Sequence, residues 1–162
     1  AKQAASIDHI SGGRLSVNVV SSWWKDEARR YGVRFDEHDD RYARTDEWLR
    51  IVRGAWREPR VTFRGRYYEV DELIVEPKPL RKPHPTLYAG GESEAAKTLI
   101  ARTCDAYVMH GDSPERLRPE IDDMKARRAA LGLPPIQVGA AGTTRLAPSW
   151  SMAWSAAKSS RP

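Results

Sequence analysis

The chain has 162 residues, of which 40% are hydrophobic and 30% are charged. This composition is typical of a globular domain with one core, and the length excludes a complete (β/α)8 barrel, which needs about 250 residues. No uncharged apolar run reaches about 20 residues and no basic segment precedes an apolar one, so we expect no membrane span and no secretion signal. A single cysteine, Cys104, excludes a disulfide framework and favours a reducing, cytoplasmic location.

The net charge is +5, from 27 basic and 22 acidic residues, and the excess lies largely at the C-terminal end. No acidic residue follows Lys125, whereas basic and acidic residues alternate in the rest of the chain. This mixture argues against a nucleic-acid-binding surface. No His, Cys, Asp or Glu pattern has metal-ligand spacing, so we expect no metal site.

The first part of the chain is predicted to contain three helical segments and one strand. In chain order these are a helix end at residues 1–9, a strand at 15–20, a short helix at 25–31 and a longer helix from 39 or 40 to about 56. The strand is a β-branched run, which favours burial on both faces. Gly32 ends the short helix, and apolar residues at helical spacing define the long one.

Residues 58–85 are predicted to form an insertion. Residues 61–63 and 67–70 are predicted to pair as a hairpin, and residues 73–75 to form a further short strand. Because the prolines of residues 77–85 exclude both a helix and a central strand, this segment is predicted to be an extended connector.

Strands and helices alternate after the insertion, which favours a parallel α/β fold. The predicted strands are residues 86–89 and 106–109 and a run that starts at 136, and the predicted helices are residues 94–102 and a segment opened by Ser113 and Pro114. Residues 140–162 lack acidic residues and apolar periodicity. We interpret them as a frameshifted or foreign end, with a flexible tail as the alternative.

Ligands of parallel α/β folds bind at the carboxyl ends of the strands. The residues there are Asn18, Ser21, Ser22, Trp23 and Trp24 after the first strand, residues 90–93 after the second, and His110, Gly111 and Asp112 after the third. Residues 90–93 suit a phosphate, since Gly90 and Gly91 allow close approach, Ser93 can donate, and the helix N–H groups face the ligand. The alternative is a tight turn in which Ser93 caps the helix.

Three further features have both a functional and a structural interpretation. His38 and Tyr42 share a face if the helix begins by His38, and could then hold a polar ligand; alternatively His38 caps the helix and Tyr42 packs under the insertion. The tandem Trp23 and Trp24 could wall a planar ligand or pack within their loop. His110 could be an acid–base group or a hydrogen-bonded structural residue. These residues alone do not identify a reaction.

Six short motifs, in this order, resemble the bacterial luciferase-like, reduced-flavin-dependent monooxygenases. They are residues 4–14 (AASIDHISGGR), 18–24 (NVVSSWW), 38–42 (HDDRY), 63–68 (FRGRYY), 88–93 (YAGGES) and 105–112 (DAYVMHGD). The double Trp and residues 109–112 are most similar to the dimethylsulfone branch of that family.

The resemblance implies an α/β fold that is an incomplete (β/α)8 TIM barrel. Residues 1–139 would hold about strands four to seven of that barrel, with the hairpin at about 58–85 as an insertion. The implied cofactor is FMN, used as FMNH2 with O2 as co-substrate and supplied by a separate NAD(P)H-dependent flavin reductase. The full-length parent is expected to be a homo-oligomer, and the absence of an initiator Met also suggests truncation.

The implied reaction is oxidation of a small organosulfur compound, dimethylsulfone to methanesulfinate. The alternatives are desulfonation of an alkanesulfonate and a truncated, non-catalytic remnant. Alkanesulfonate enzymes carry an Arg and a His on the seventh strand, where this chain has Ala141 and Thr143. Either the substrate is not a sulfonate anion or residues 140–162 replace the original strand.

The resemblance also assigns site residues, although it assigns no catalytic group. The implied cofactor-binding residues are Asn18, Ser21, His38, Tyr42, Gly90, Gly91 and Ser93. The implied substrate-pocket residues are Trp23, Trp24 and His110.

Overall fold

The computed structural model describes residues 1–141, in which strands and helices alternate largely as the sequence pattern predicts. The elements are α1 (Lys2–Ile10), β1 (Ser16–Val19), α2 (Lys25–Arg30), α3 (His38–Arg57), β2 (Val61–Arg64), β3 (Glu69–Leu73), β4 (Thr86–Ala89), α4 (Glu94–Thr103), β5 (Ala106–His110), α5 (Pro114–Ala130) and β6 (Gln137–Ala141). Within this part of the chain, no helix is both long and apolar enough to cross a bilayer.

Four strands form one parallel sheet in the order β1-β4-β5-β6. The register aligns Asn18 with Tyr88, Tyr88 with Ala106, and Ala106 with Gln137. Because all four strands run in one direction, their carboxyl ends lie at one edge of the sheet. The predicted parallel α/β fold is confirmed, whereas closure into a barrel stays a prediction.

One face of this sheet carries the main core. Successive side chains of a strand point to opposite faces, and the helix-covered face buries Val19, Leu87 and Tyr107 against α3, α4 and α5. Ser16 and Asn18 lie on the other face of β1 and are exposed. The prediction that this strand is buried on both faces is therefore wrong, because in the described part of the chain no second layer covers that face.

The long helix α3 begins at His38, slightly earlier than predicted. Leu49, Val52 and Trp56 are buried on its inner side, as their helical spacing predicts. The Trp56 indole N–H donates to the Ala1 carbonyl at 3.0 Å, so α1 and α3 are held together at this point.

The β2–β3 hairpin is fixed to α3 by two carboxylates, Asp40, which accepts hydrogen bonds from the Arg66 and Tyr67 side chains, and Glu47. Glu47 accepts the backbone N–H groups of Arg66, Tyr67 and Tyr68 at 2.8, 2.8 and 3.1 Å. Burial alone would raise the pKa of Glu47, but these three hydrogen bonds outweigh it and lower the pKa. The hairpin turn is therefore placed over the first half of α3. Its status as a family insertion stays a prediction.

The prediction of a further strand at residues 73–75 is wrong. Leu73 is the last residue of β3, and Val75 instead packs in a second small core with Ala55 and Val61. The connector at residues 77–85 contains neither helix nor strand, as predicted.

The last predicted strand is present as β6 and pairs in parallel with β5. It extends to Ala141 and so includes two residues that the sequence assigns to the aberrant segment 140–162. The rest of that segment, Thr143 included, lies outside the described residues.

Candidate functional site

A cleft of about 430 Å³ opens at the carboxyl ends of β1, β4 and β5. Residues from all three predicted loops line it, together with one side chain from α3. The predicted site residues among them are Asn18, Ser21, Trp23, Tyr42, Gly90, Gly91 and His110. The topology thus brings these side chains to one place, where the sequence argument expects a ligand.

Three predicted site residues do not line this cleft. His38 lines a neighbouring cleft of about 770 Å³ between α3, the hairpin and α4, and Tyr42 borders both. Ser93 lies behind the loop, and Trp24 stacks on Trp23 with ring centroids 6.2 Å apart.

The larger cleft is the weaker candidate because its charges pair with one another. Asp46, at its wall, is 2.9 Å from Arg50 and 2.8 Å from Arg102. The smaller cleft has the position expected for ligands in a parallel sheet.

Gly90 and Gly91 form the tightest part of the smaller cleft. A Cβ on Gly90 would lie 2.6 Å from the Val108 carbonyl oxygen. A Cβ on Gly91 would lie 2.6 Å from the Ala96 Cβ and 3.4 Å from the Tyr42 hydroxyl. Both positions therefore need glycine, because the loop packs directly against β5 and α4 with no room for a side chain.

Ser93 is the N-cap of α4, and its Oγ accepts the Ala96 N–H at 3.2 Å. Ser93 thus caps the helix, as the alternative interpretation predicts. This cap leaves the first-turn N–H groups of Glu94 and Ala95 without a partner in residues 1–141. Unpaired N–H groups at a helix N-terminus attract anions, so capping and anion binding are compatible here.

Tyr42 adds a side-chain donor beside this loop. Its hydroxyl has no hydrogen-bond partner within the described part of the chain, and it lies close to Gly91. The His38 ring is 5.0 Å from the Tyr42 ring, and its Nδ1 is 2.7 Å from the Asp39 carboxylate. His38 therefore packs against Tyr42 without capping the helix, whose N-cap is Glu37.

Two acidic side chains lie near the loop and bear on its charge. Arg127 donates two hydrogen bonds to the Glu94 carboxylate, at 2.6 and 2.7 Å, and lowers its pKa. The charge of Glu94 is therefore balanced by Arg127. Glu92 is exposed and makes no ion pair within residues 1–141.

The loop after β1 is fastened to α3 through hydroxyl groups. The Ser21 hydroxyl donates to Thr45 Oγ1 at 2.9 Å, and Thr45 donates to the Arg41 carbonyl. Asn18 is exposed at the end of β1, and its side chain is free to meet a ligand. His110 is likewise exposed, at the end of β5. Across residues 1–141, no three His, Cys, Asp or Glu side chains converge to hold a metal ion.

Sequence reasoning missed Tyr107. This residue is fully buried in β5, and its hydroxyl donates to the Gly91 carbonyl at 3.1 Å. A tyrosine within an apolar strand predicts only a core position, so no sequence signal pointed to the loop.

Comparison with known proteins identifies relatives over most of the chain. The model of the luciferase-like monooxygenase family matches residues 1–161. The FMNH2-dependent dimethylsulfone monooxygenase of Pseudomonas putida is 42% identical over 132 residues, which are 82% of this chain and 36% of that protein. The chain thus spans about a third of the length of this relative.

Solved structures of similar proteins share the fold. The EDTA monooxygenase of Chelativorans sp. BNC1 has a TM-score of 0.76 and 25% identity over 86% of this chain and 37% of its own. A riboflavin lyase solved with modified FMN and riboflavin has a TM-score of 0.77 and 24% identity over 86% of this chain and 36% of its own. The family model covers nearly the whole sequence, and the chain belongs to the luciferase-like monooxygenase family.

Proposed function

We propose that this chain is the cofactor-binding part of an FMNH2-dependent monooxygenase that converts dimethylsulfone to methanesulfinate. The observation that carries the proposal is the convergence of Tyr42 and the Gly90–Gly91 backbone at one cleft, next to the unpaired N–H groups of Glu94 and Ala95, which line the adjoining cleft that Tyr42 also borders. The 42% identity to a dimethylsulfone monooxygenase supports the choice of substrate.

The donors in and beside the cleft suit FMN. The Gly90–Gly91 backbone lines the cleft, the Tyr42 hydroxyl can donate, and the first turn of α4 next to it offers unpaired N–H groups. We assign the phosphate to this group of donors, and the edge of the flavin ring to Asn18. Reduced FMN, when bound, supplies the two electrons with which O2 is activated.

The space that remains in the cleft, beside the donors assigned to the phosphate, favours a neutral substrate over a sulfonate anion. None of the described residues that line it is Lys or Arg, and Glu92 is the acidic one among them. Trp23 and His110 border the remaining space, where an indole and an imidazole can donate hydrogen bonds to sulfone oxygens. The Trp24 ring stacks on the Trp23 ring.

The proposed reaction balances with one oxygen atom inserted. Dimethylsulfone, FMNH2 and O2 give methanesulfinate, formaldehyde, FMN and water. A separate NAD(P)H-dependent reductase in the cytoplasm would supply the reduced flavin, and we expect the full-length enzyme to be a homo-oligomer.

The test is an anaerobic titration of the purified 162-residue chain with FMNH2, followed by Trp fluorescence, after size exclusion has shown a single species. We expect saturable quenching that is weakened about tenfold in Tyr42→Phe, because one hydrogen bond to a charged group is lost. Tyr31→Phe is the matched control, since Tyr31 is exposed and lies outside the cleft.

Each outcome of this test decides between the alternatives. Binding followed by formation of methanesulfinate from dimethylsulfone supports the proposal. Turnover of an alkanesulfonate in place of the sulfone would identify the chain as part of a desulfonating enzyme. Binding without turnover, even with a reductase present, would identify a non-catalytic remnant, and a folded chain that binds no flavin would overturn the proposal altogether.

A further inference from the structure

Tyr107 joins the core of the molecule to the glycine loop. Its ring is fully buried in β5, and within residues 1–141 its hydroxyl has one hydrogen-bond partner, the Gly91 carbonyl. Burial raises the pKa of Tyr107, so the phenol stays protonated at neutral pH and remains a donor. A buried hydroxyl without a partner is costly, which favours keeping this bond intact.

This hydrogen bond fixes the orientation of one peptide unit. The Gly91–Glu92 peptide is trans, so its carbonyl and its N–H point in opposite directions. With the carbonyl held towards Tyr107 in the core, the Glu92 N–H must point outwards from it. That N–H has no partner in the described part of the chain, and it neighbours the free N–H groups of Glu94 and Ala95.

The opposite orientation of the Gly91–Glu92 peptide would weaken the binding of an anion. Gly91 lacks a Cβ, so rotation of the following peptide meets little steric resistance. A rotated peptide would present the Gly91 carbonyl oxygen, an acceptor with partial negative charge, to the incoming ligand. Whether the loop attracts or repels an anion therefore depends on the hydrogen-bond partner of the Gly91 carbonyl.

We propose that Tyr107 is a positioning residue that holds the Gly91–Glu92 peptide with its N–H directed at the phosphate of the ligand. This inference rests on the proposed function, because it needs a phosphate-bearing flavin in the cleft. It assigns the ability to prefer FMN over riboflavin, which lacks the phosphate, to a residue that acts through the backbone of the glycine loop.

The test compares the affinities of reduced FMN and reduced riboflavin for the full chain and for Tyr107→Phe. The Phe variant keeps the ring and loses only the hydroxyl. We expect its FMN affinity to fall about tenfold and its riboflavin affinity to stay within about twofold of the original. Tyr31→Phe is again the matched control, since Tyr31 is exposed and lies outside the cleft.

The ratio of the two affinities separates a positioning role from a packing role. Equal loss of both affinities in Tyr107→Phe would mean that the hydroxyl only stabilises the core, and would overturn the inference. An FMN preference that stays unchanged because neither affinity falls in Tyr107→Phe would overturn it as well, while leaving the proposed function intact. If the unmodified chain does not prefer FMN over riboflavin, the phosphate assignment in the proposed function fails, and the inference with it.

A second measurement needs no variant and so does not depend on whether Tyr107→Phe folds. The amide resonances of the ¹⁵N-labelled chain are followed by NMR as inorganic phosphate is added. We expect the Glu92 amide to shift together with those of Glu94 and Ala95. A Glu92 amide that stays in place while the other two shift would contradict the proposed orientation of the peptide.

Discussion

Gly90 sits where β4 ends, and its neighbour in space is the backbone of β5. A methyl group at this position would lie 2.6 Å from the Val108 carbonyl oxygen, and neither strand can retreat without loss of sheet pairing. We therefore expect Gly90→Ala to lower the free energy of unfolding by about 2 kcal/mol, as measured by urea denaturation. Glycine is required at this position because a side chain has no room, and not because the backbone needs the flexibility of glycine.

Gly139 provides the control for this substitution. It lies in β6, and a Cβ there would meet nothing within 4 Å. Gly139→Ala should change the free energy of unfolding by no more than about 0.5 kcal/mol. Equal losses in the two variants would show that the close approach to Val108 is relieved by a small movement.

The residues in and around the cleft differ in how far sequence could predict them. The pairing of His38 with Tyr42 follows from a spacing of four on a helix, and the cap at Ser93 follows from its place before α4. The bond from Tyr107 to Gly91 spans 16 residues and exists only because β4 and β5 pair in one register. No local pattern encodes it.

At the level of elements, α4 and α5 are joined by a cluster of ion pairs. Lys97 of α4 is 2.6 Å from Glu120 and 3.2 Å from Asp123, both on α5. Arg127 of α5 binds Glu94 with two hydrogen bonds and Asp123 with a third, at 2.9 Å. Since Glu94 is the first residue of α4, this cluster fixes the helix end on which the glycine loop depends.

This cluster predicts a pH-dependent effect of Arg127→Gln. The hydrogen bonds of Arg127 lower the pKa of Glu94; at Asp123 burial acts to raise the pKa, but hydrogen bonds from Arg127 and Lys97 outweigh it. Carboxylates with lowered pKa stabilise the fold above their unfolded values of about 4, and that stability is lost as the pH falls through their folded values. The variant should therefore unfold at lower urea than the original chain at pH 7, with a gap that shrinks below about pH 4.

The exposed pair of Arg116, on the same helix, and Asp112, in the loop that precedes it, serves as the comparison. The Arg116 side chain is 78% exposed, so Arg116→Gln should leave the urea midpoint nearly unchanged at either pH. A gap between the original chain and Arg127→Gln that stays constant from pH 7 to pH 3 would show that Arg127 acts through packing of its aliphatic part.

The elements themselves were largely predictable because they follow local rules. The alternation of apolar strands with helices of clear periodicity predicts the parallel sheet, and each predicted helix is present. The strand predicted at residues 73–75 failed for a physical reason. β-branched side chains suit a strand, but Val75 is buried against Ala55 of α3 and has no strand to pair with.

For the molecule as a whole, both apolar clusters of the described part are built from residues that precede Gly139. Cys104 lies in the larger of these clusters, where burial raises the pKa of its thiol to about 11 and keeps it unreactive at pH 8. We therefore expect labelling of Cys104 by a thiol reagent to accelerate over the same range of urea in which the Trp fluorescence reports unfolding. Fast labelling in the absence of urea would contradict this expectation.

The two outer strands of the sheet have a kinetic consequence. Within residues 1–141, β1 and β6 each pair on one side only, and the sheet face that carries Asn18 is open. The dimethylsulfone monooxygenase of Pseudomonas putida is more than twice as long as this chain. If the parts of that relative without a counterpart in this chain are supplied as a separate polypeptide, they can dock on these edges, and any turnover would be second order in the two chains. Activity would then depend on the concentration of the complementary fragment, as in a split enzyme reassembled in trans.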